Sequence, residues 1–95
     1  MYENISVLSK DTVRINALIE LGNNFLIEEK EGYEETSFDY FTKAMALAED
    51  NENPIYIGKC KVGFANWTHK VKEDFGVCET LYQEALTLFS SVNYN

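Results

Sequence analysis

Two segments of the chain, YFTKAMAL at residues 40–47 and LYQEALTL at residues 81–88, show the same pattern 41 residues apart. In each segment an aromatic residue is followed three positions later by an alanine. The agreement extends beyond the two segments, and the matched pairs are Gly22 with Gly63, Ser37 with Cys78, Phe41 with Tyr82, and Ala44 with Ala85. Repetition at a period of about 40 residues is typical of stacked helical hairpins.

The pattern of apolar residues predicts four helices and no sheet. Apolar side chains recur at spacings of three and four, and no segment alternates with a period of two. At the clearest boundary, Asn53 can cap a helix whose first position is Pro54, where the missing N–H costs nothing. The predicted helices cover residues 11–28, residues 34–50, residues 54–72 and a last segment that begins at Glu73 or Asp74.

The predicted fold is a single all-α domain of two stacked antiparallel hairpins. The domain spans residues 1–95, with an N-terminal extension over residues 1–10, a first hairpin over about residues 11–50 and a second over about residues 54–91. Ala44 and Ala85 should lie where helices approach most closely, with the rings of Phe41 and Tyr82 buried beside them. A large side chain at either alanine would then overpack the core.

Three segments resemble the signature of a tetratricopeptide repeat. LIELGNNF (residues 18–25) is similar to its first helix, and SFDYFTKA and CETLYQEA (residues 37–44 and 78–85) are similar to its second. The resemblance implies a short solenoid whose concave surface holds an extended peptide or a partner helix. KDTVRINALIELGNNF, followed by repeats of about 40 residues, is also similar to tetratricopeptide sensor regions of bacterial signalling proteins. The chain would then be a fragment of a signalling or regulatory protein.

The same resemblance implies which residues would contact a bound peptide. On the first helix the concave positions are Asn16, Ile19, Asn23 and Leu26. On the third helix either Gly63 or Phe64 can take the small position, and the second choice places Lys61 and Thr68 on the concave surface. The asparagine amides could clamp a peptide backbone by hydrogen bonds. The alternative is that all of these residues are ordinary solvated helix positions.

The charge of the chain argues against nucleic acids and membranes as partners. The net charge is −8, and residues 1–52 carry 12 acidic against 4 basic side chains, while residues 53–95 carry 4 of each. Nucleic acids and anionic lipids are bound by clusters of lysine and arginine, which this balance does not supply. No apolar segment approaches the ~20 residues that span a membrane. We expect a cytoplasmic location, or a periplasmic sensor region if a signal peptide has been removed.

No arrangement of residues in the sequence indicates catalysis, a cofactor or a metal. Cys60 and Cys78 match no zinc or disulfide spacing and are predicted to be small buried hydrophobic residues. The acidic segment EEKEGYEE lacks the spacing of a calcium loop. We therefore predict a non-catalytic module that binds a protein or peptide and needs no cofactor. One alternative stays open, because His69 and Lys72 have the H-x-x-K spacing of histidine phosphotransfer domains.

The last helix predicts a contact between chains. A solenoid hairpin buries one face on its neighbour, and the final helix leaves its outer face open. The apolar residues predicted on that face are Leu86, Leu88 or Phe89. Such a face favours a homodimer through the C-terminal hairpin, since two-fold dimers are the commonest closed assembly.

Overall fold

The computed structural model describes the backbone of residues 2–92 and the side chains of residues 11–92. The elements are α1 (Tyr2–Glu28), α2 (Tyr33–Asp50), α3 (Pro54–Trp67), a π-helical turn (Thr68–Lys72) that continues α3, and α4 (Phe75–Ser91). No strand occurs within residues 2–92. The predicted all-α fold of four helices is confirmed.

The first helix is longer than the sequence pattern predicted. It begins at Tyr2, nine residues before the predicted start at Asp11, so residues 2–10 prolong α1 and form no separate extension. These residues include neither glycine nor proline, and an aspartate inside a helix is only mildly unfavourable. The side chains of residues 2–10 lie outside the described residues.

Side-chain caps explain where the later helices begin. Asn53 accepts a hydrogen bond from the backbone N–H of Ile55 at 3.1 Å, which confirms it as the cap ahead of Pro54. Asp74 caps α4 by accepting from the backbone N–H of Val77 at 3.1 Å. Each cap satisfies an N–H group that has no partner inside its own helix.

Three helix ends carry a glutamate in the left-handed conformation. These residues are Glu29 (φ 52°), Glu52 (φ 49°) and Glu73 (φ 53°). Glycine usually occupies such a position, because a side chain there is crowded by the backbone. A negative charge is also unfavourable at the C-terminal end of a helix. Each of the three positions therefore lowers the stability of the fold slightly.

The helices pair as two hairpins that meet through α2 and α3. α1 packs mainly on α2, α3 packs mainly on α4, and α2 joins the hairpins by packing on α3, which also touches α1. The fully buried residues at the centre are Ile15, Ala44, Ala48 and Cys60. Ala85 of the second hairpin is buried as predicted.

The ring of Phe41 on α2 is enclosed by the two neighbouring helices. A Cβ atom on Gly22 of α1 would lie 2.7 Å from this ring, and one on Gly63 of α3 would lie 2.8 Å from it. The ring of Phe64 lies 5.9 Å from it, centroid to centroid. Both helices can approach α2 this closely only because the two glycines lack side chains.

The small residues of α3 are divided between two buried sides. Gly63 faces α2, whereas a Cβ atom on Gly58 would lie 2.6 Å from the ring of Phe89 on α4. The buried thiol of Cys78 on α4 donates a hydrogen bond to the carbonyl oxygen of Ala65 at 3.2 Å. Ala65 is therefore the small residue that Cys78 of α4 contacts. Gly63 and Phe64, the two residues considered for the small position, lie against Phe41 of α2 instead.

Tyr82 is the clearest exception to the predicted repeat. Its side chain is 38% exposed, whereas its counterpart Phe41 is fully buried. Phe41 is enclosed on two sides, by Gly22 of α1 and by Gly63 of α3. The hydroxyl of Tyr82 donates a hydrogen bond to Oδ1 of Asn66 at 2.5 Å. The prediction that Tyr82 is buried is therefore wrong.

Candidate functional site

A groove lies between α1 and the end of α3, with α4 along one edge. Its volume is about 610 Å³. The residues that line it are Asn23, Leu26, Ile27, Asn66, His69, Lys70 and Tyr82. We call it the α1–α3 groove. It combines apolar side chains with amide and cationic groups, a composition that suits a polypeptide ligand.

α1 supplies one amide and two aliphatic side chains to the groove. Leu26 is 4% exposed, whereas Ile27 is 73% exposed and can contact a ligand directly. Asn23 is half-buried, and within the described residues its side chain makes no hydrogen bond. Its amide therefore keeps both a donor and an acceptor for a ligand.

The π-helical turn forms the opposite wall together with the last turn of α3. His69 is exposed, and its ring lies 5.2 Å from the ring of Phe75. Nζ of Lys70 lies 3.5 Å from Oε2 of Glu29, so an ion pair connects the turn to the C-terminal end of α1. Turns of the π type are rare in proteins and often occur at functional sites.

The hydrogen bond from Tyr82 fixes the amide of Asn66. Oδ1 of Asn66 accepts from the Tyr82 hydroxyl, so its Nδ2 group is the one that can donate to a ligand. Partial burial raises the pKa of Tyr82, and the neighbouring Cys78 raises it further. The hydroxyl therefore keeps its proton at neutral pH and continues to donate this hydrogen bond.

The two asparagines hold equivalent positions in the two hairpins. Ala65 of α3 lies beside Cys78 of α4, as Gly22 of α1 lies beside Phe41 of α2. Matching Gly22 with Ala65 gives an offset of 43 residues between α1 and α3. This offset pairs Asn23 with Asn66 and Leu26 with His69, and both pairs line the groove. The α1–α3 groove is therefore built from matching faces of the first helices of the two hairpins.

Two of the predicted contact residues on α1 line the groove, and two do not. Asn23 and Leu26 line it. Ile19 is half-buried and packs against the central core. Asn16 is exposed but is not among the residues that line the groove.

The two predicted contact residues on α3 lie on other surfaces. Nζ of Lys61 lies 3.1 Å from Oε1 of Glu84, so it faces α4. Thr68 is 8% exposed, and its hydroxyl donates to the carbonyl oxygen of Phe64 at 2.8 Å. Neither residue lines the α1–α3 groove.

Five of the groove residues were not predicted as contact residues from the sequence. They are Ile27, Asn66, His69, Lys70 and Tyr82. The one available sign is that both first helices carry an asparagine in their C-terminal halves. The repeat offset of 41 pairs Asn23 with Phe64, however, so the correct pair emerges only from the fold.

A larger groove, of about 750 Å³, lies between α2 and the π-helical turn. Phe38 and Trp67 form its aromatic wall, with their ring centroids 4.8 Å apart. Three of its polar side chains interact within the chain: Lys43 pairs with Asp39 at 3.3 Å, and the ammonium of Lys72 lies 5.8 Å from the centroid of the Trp67 ring. Unlike the α1–α3 groove, it has no asparagine amides among its lining residues.

Other kinds of site find little support in the described part of the chain. Within residues 11–92, no group of three or more His, Cys, Asp or Glu side chains could hold a metal ion. Burial, with a smaller contribution from the charge of Glu49, raises the pKa of the Cys60 thiol to about 12, which makes it a poor nucleophile. None of the described helices is long and apolar enough to cross a membrane.

Comparison of the chain with protein-family models, with curated proteins and with solved structures finds no match. The functional argument therefore rests on the geometry of the α1–α3 groove. Two amides, one on each wall, and the exposed side chain of Ile27 are its main features.

Proposed function

We propose that the chain is a non-catalytic module that binds an extended segment of a partner protein in the α1–α3 groove. The observation that carries the proposal is the pair Asn23 and Asn66, which line one groove from opposite walls. An extended peptide exposes N–H and C=O groups that secondary structure does not use, and asparagine amides can bond to both. Ile27 offers apolar contact for a side chain of the peptide.

The parent protein is proposed to be a bacterial signalling or regulatory protein of tetratricopeptide type. Support comes from the resemblance of residues 18–25, 37–44 and 78–85 to the tetratricopeptide signature. Cys60 and Cys78 are both free and buried, which suits a reducing compartment such as the cytoplasm.

Peptide selection tests the proposal. A random peptide library displayed on phage is selected on the immobilised chain, and the affinity of each enriched peptide is then measured by calorimetry. Asn23→Ala and Asn66→Ala should each weaken binding, because one hydrogen bond contributes about 0.5–1.5 kcal/mol. Asn24→Ala is the matched control, since Asn24 is exposed on α1 outside the groove.

Two results would count against a peptide site in this groove. One is the absence of enriched peptides. The other is a set of peptides whose affinity is the same for the wild type, Asn23→Ala and Asn66→Ala. Tyr82→Phe serves as a further check, because it removes only the hydroxyl that orients Asn66.

Phosphotransfer through His69 is the second candidate, and the geometry favours it less. The imidazole is exposed, as a phosphorylated histidine must be. However, it lies in the last turn before the chain reverses, close in sequence to Glu73 and Asp74. These carboxylates would repel the acidic site of a receiver domain.

A further inference from the structure

One face of α4 carries a strip of exposed side chains. Phe75 is 62% exposed, Tyr82 38% and Leu86 63%, and Glu79 is exposed between the first two. Their spacing of four, three and four residues places them on one side of the helix. We call these four residues the α4 strip. Within residues 11–92 the strip is only partly covered, since the ring of Phe75 contacts that of His69 and the hydroxyl of Tyr82 bonds to Asn66. Leu88 and Phe89, which were predicted on this outer face, are half-buried.

The equivalent strip of α2 is covered by a helix. At the offset of 41, Phe38, Phe41 and Met45 of α2 correspond to Glu79, Tyr82 and Leu86. On α2 this strip packs against α3: the ring centroid of Phe38 lies 4.8 Å from that of Trp67, and Phe41 packs on Gly63. A strip with this spacing at this position therefore binds a helix in this same chain.

We propose that the α4 strip joins two copies of this chain as a two-fold symmetric, antiparallel helix pair. A spacing of four, three and four reads the same in both directions. Two antiparallel strips therefore match Phe75 with Leu86 and Glu79 with Tyr82 on both sides of a two-fold axis. A self-complementary surface of this kind is what an isologous contact requires, and the spacing is that of helices packed along a heptad seam.

The charge distribution favours a contact between two copies through α4 over one through α1. The half of the chain that contains α4, residues 53–95, carries four acidic and four basic side chains. Residues 1–52, with a net charge of −8, belong mainly to the other hairpin. A contact through α4 brings the neutral hairpins together, whereas a contact through α1 would bring two strongly acidic ones together.

The expected dimer is weak, because four side chains from each copy bury less area than a standard stable interface. Sedimentation equilibrium of the chain without any peptide should show a monomer–dimer equilibrium in the micromolar range. This measurement does not involve peptide binding, so its outcome is independent of the proposed function. A monomer at every concentration reached would overturn the proposal.

Leu86→Glu and Val13→Glu form a matched pair of variants. Leu86 is 63% exposed and Val13 is 65% exposed on α1, so both substitutions should preserve the monomer fold. Leu86→Glu should raise the dissociation constant of the dimer by roughly tenfold or more, while Val13→Glu should leave it unchanged. A dimer equally sensitive to both variants, or to neither, would show that another surface makes the contact.

Disulfide trapping tests the antiparallel pairing. Phe75→Cys and Leu86→Cys chains, mixed and oxidised, should form a disulfide between the two different variants, while each variant alone should form little. The native thiols of Cys60 and Cys78 are buried and should not compete. Efficient linking of either variant to itself would contradict the proposed register.

Discussion

Substitution of either glycine beside Phe41 by alanine should destabilise the protein. The ring of Phe41 is fully buried and cannot move aside into solvent. A Cβ atom on Gly22 would lie 2.7 Å from it, and one on Gly63 would lie 2.8 Å from it. Real Cβ atoms are not found this close to another carbon, so the ring or a whole helix would have to shift.

Two opposing effects set the size of the change. Overpacking a well-filled core costs about 1–3 kcal/mol, and alanine gains about 1 kcal/mol over glycine inside a helix. The net loss for Gly22→Ala or Gly63→Ala is therefore about 0–2 kcal/mol relative to the wild type, and about 1–3 kcal/mol relative to a glycine-to-alanine change that meets no neighbour. In a domain of this size each kcal/mol lowers the Tm by roughly 4–8 °C.

Gly76→Ala is the control, because the nearest atom to its Cβ would be Oδ1 of Asp74 at an ordinary 3.6 Å. Only the gain in helix propensity remains there, so this variant should be as stable as the wild type or more so. Thermal and urea unfolding followed by circular dichroism measure all three variants. In a Phe41→Leu background, Gly22→Ala should cost less, because the smaller side chain leaves room for the methyl group. Gly22→Ala and Gly63→Ala variants as stable as Gly76→Ala would refute the packing of Phe41 between α1 and α3.

Four further outcomes are expected. Ala44→Leu and Ala85→Leu should each lose about 1–3 kcal/mol of stability, since both alanines are buried; unchanged melting of both would contradict the close packing of the hairpins. Glu52→Gly should be more stable than Glu52→Ala by about 1 kcal/mol, because only glycine relieves the left-handed backbone. The Cys60 thiol should resist a disulfide reagent at pH 8 until the chain unfolds. Because burial raises the pKa of this thiol from 9.0 to about 12, the stability that its protonated form contributes should decline as the pH rises from 9 towards 12. The Cys60→Ala variant should not show this decline. Acetyl phosphate should leave His69 unmodified; an acid-labile phosphate that His69→Gln abolishes would support phosphotransfer instead.

Features that depend on neighbouring residues were predictable from the sequence. The start of α3 follows from Asn53 and Pro54, which act within a single turn. The burial of Phe41 and Ala44 follows from a helix that presents one continuous apolar face to its hairpin partner. In these places the local signal and the tertiary packing agree.

The register of α3 was not predictable, because this helix is buried on two sides. Its small residues Gly58, Gly63 and Ala65 could each mark the close approach to a partner helix. A helix that is apolar on most of its surface has no single face to indicate its orientation. The choice between the three depends on α2 and α4 together, and that information is spread over the whole chain.

The choice of Phe64 as the small position of α3 determined which residues of the α1–α3 groove were missed. One residue along an α-helix corresponds to a rotation of about 100°. When α3 is centred on Ala65 and not on Phe64, the helix is rotated by this amount. Lys61 then faces α4, where it pairs with Glu84. With α3 centred on Phe64, Asn66 is not predicted to face the groove, although it lines the groove opposite Asn23. The rotation of α3 between its two neighbours therefore determines which residues line the proposed binding surface. This makes the Gly63→Ala variant a test of the proposed site as well as of the core. A side chain at Gly63 should rotate or displace α3, and it should therefore weaken peptide binding although Gly63 does not line the groove.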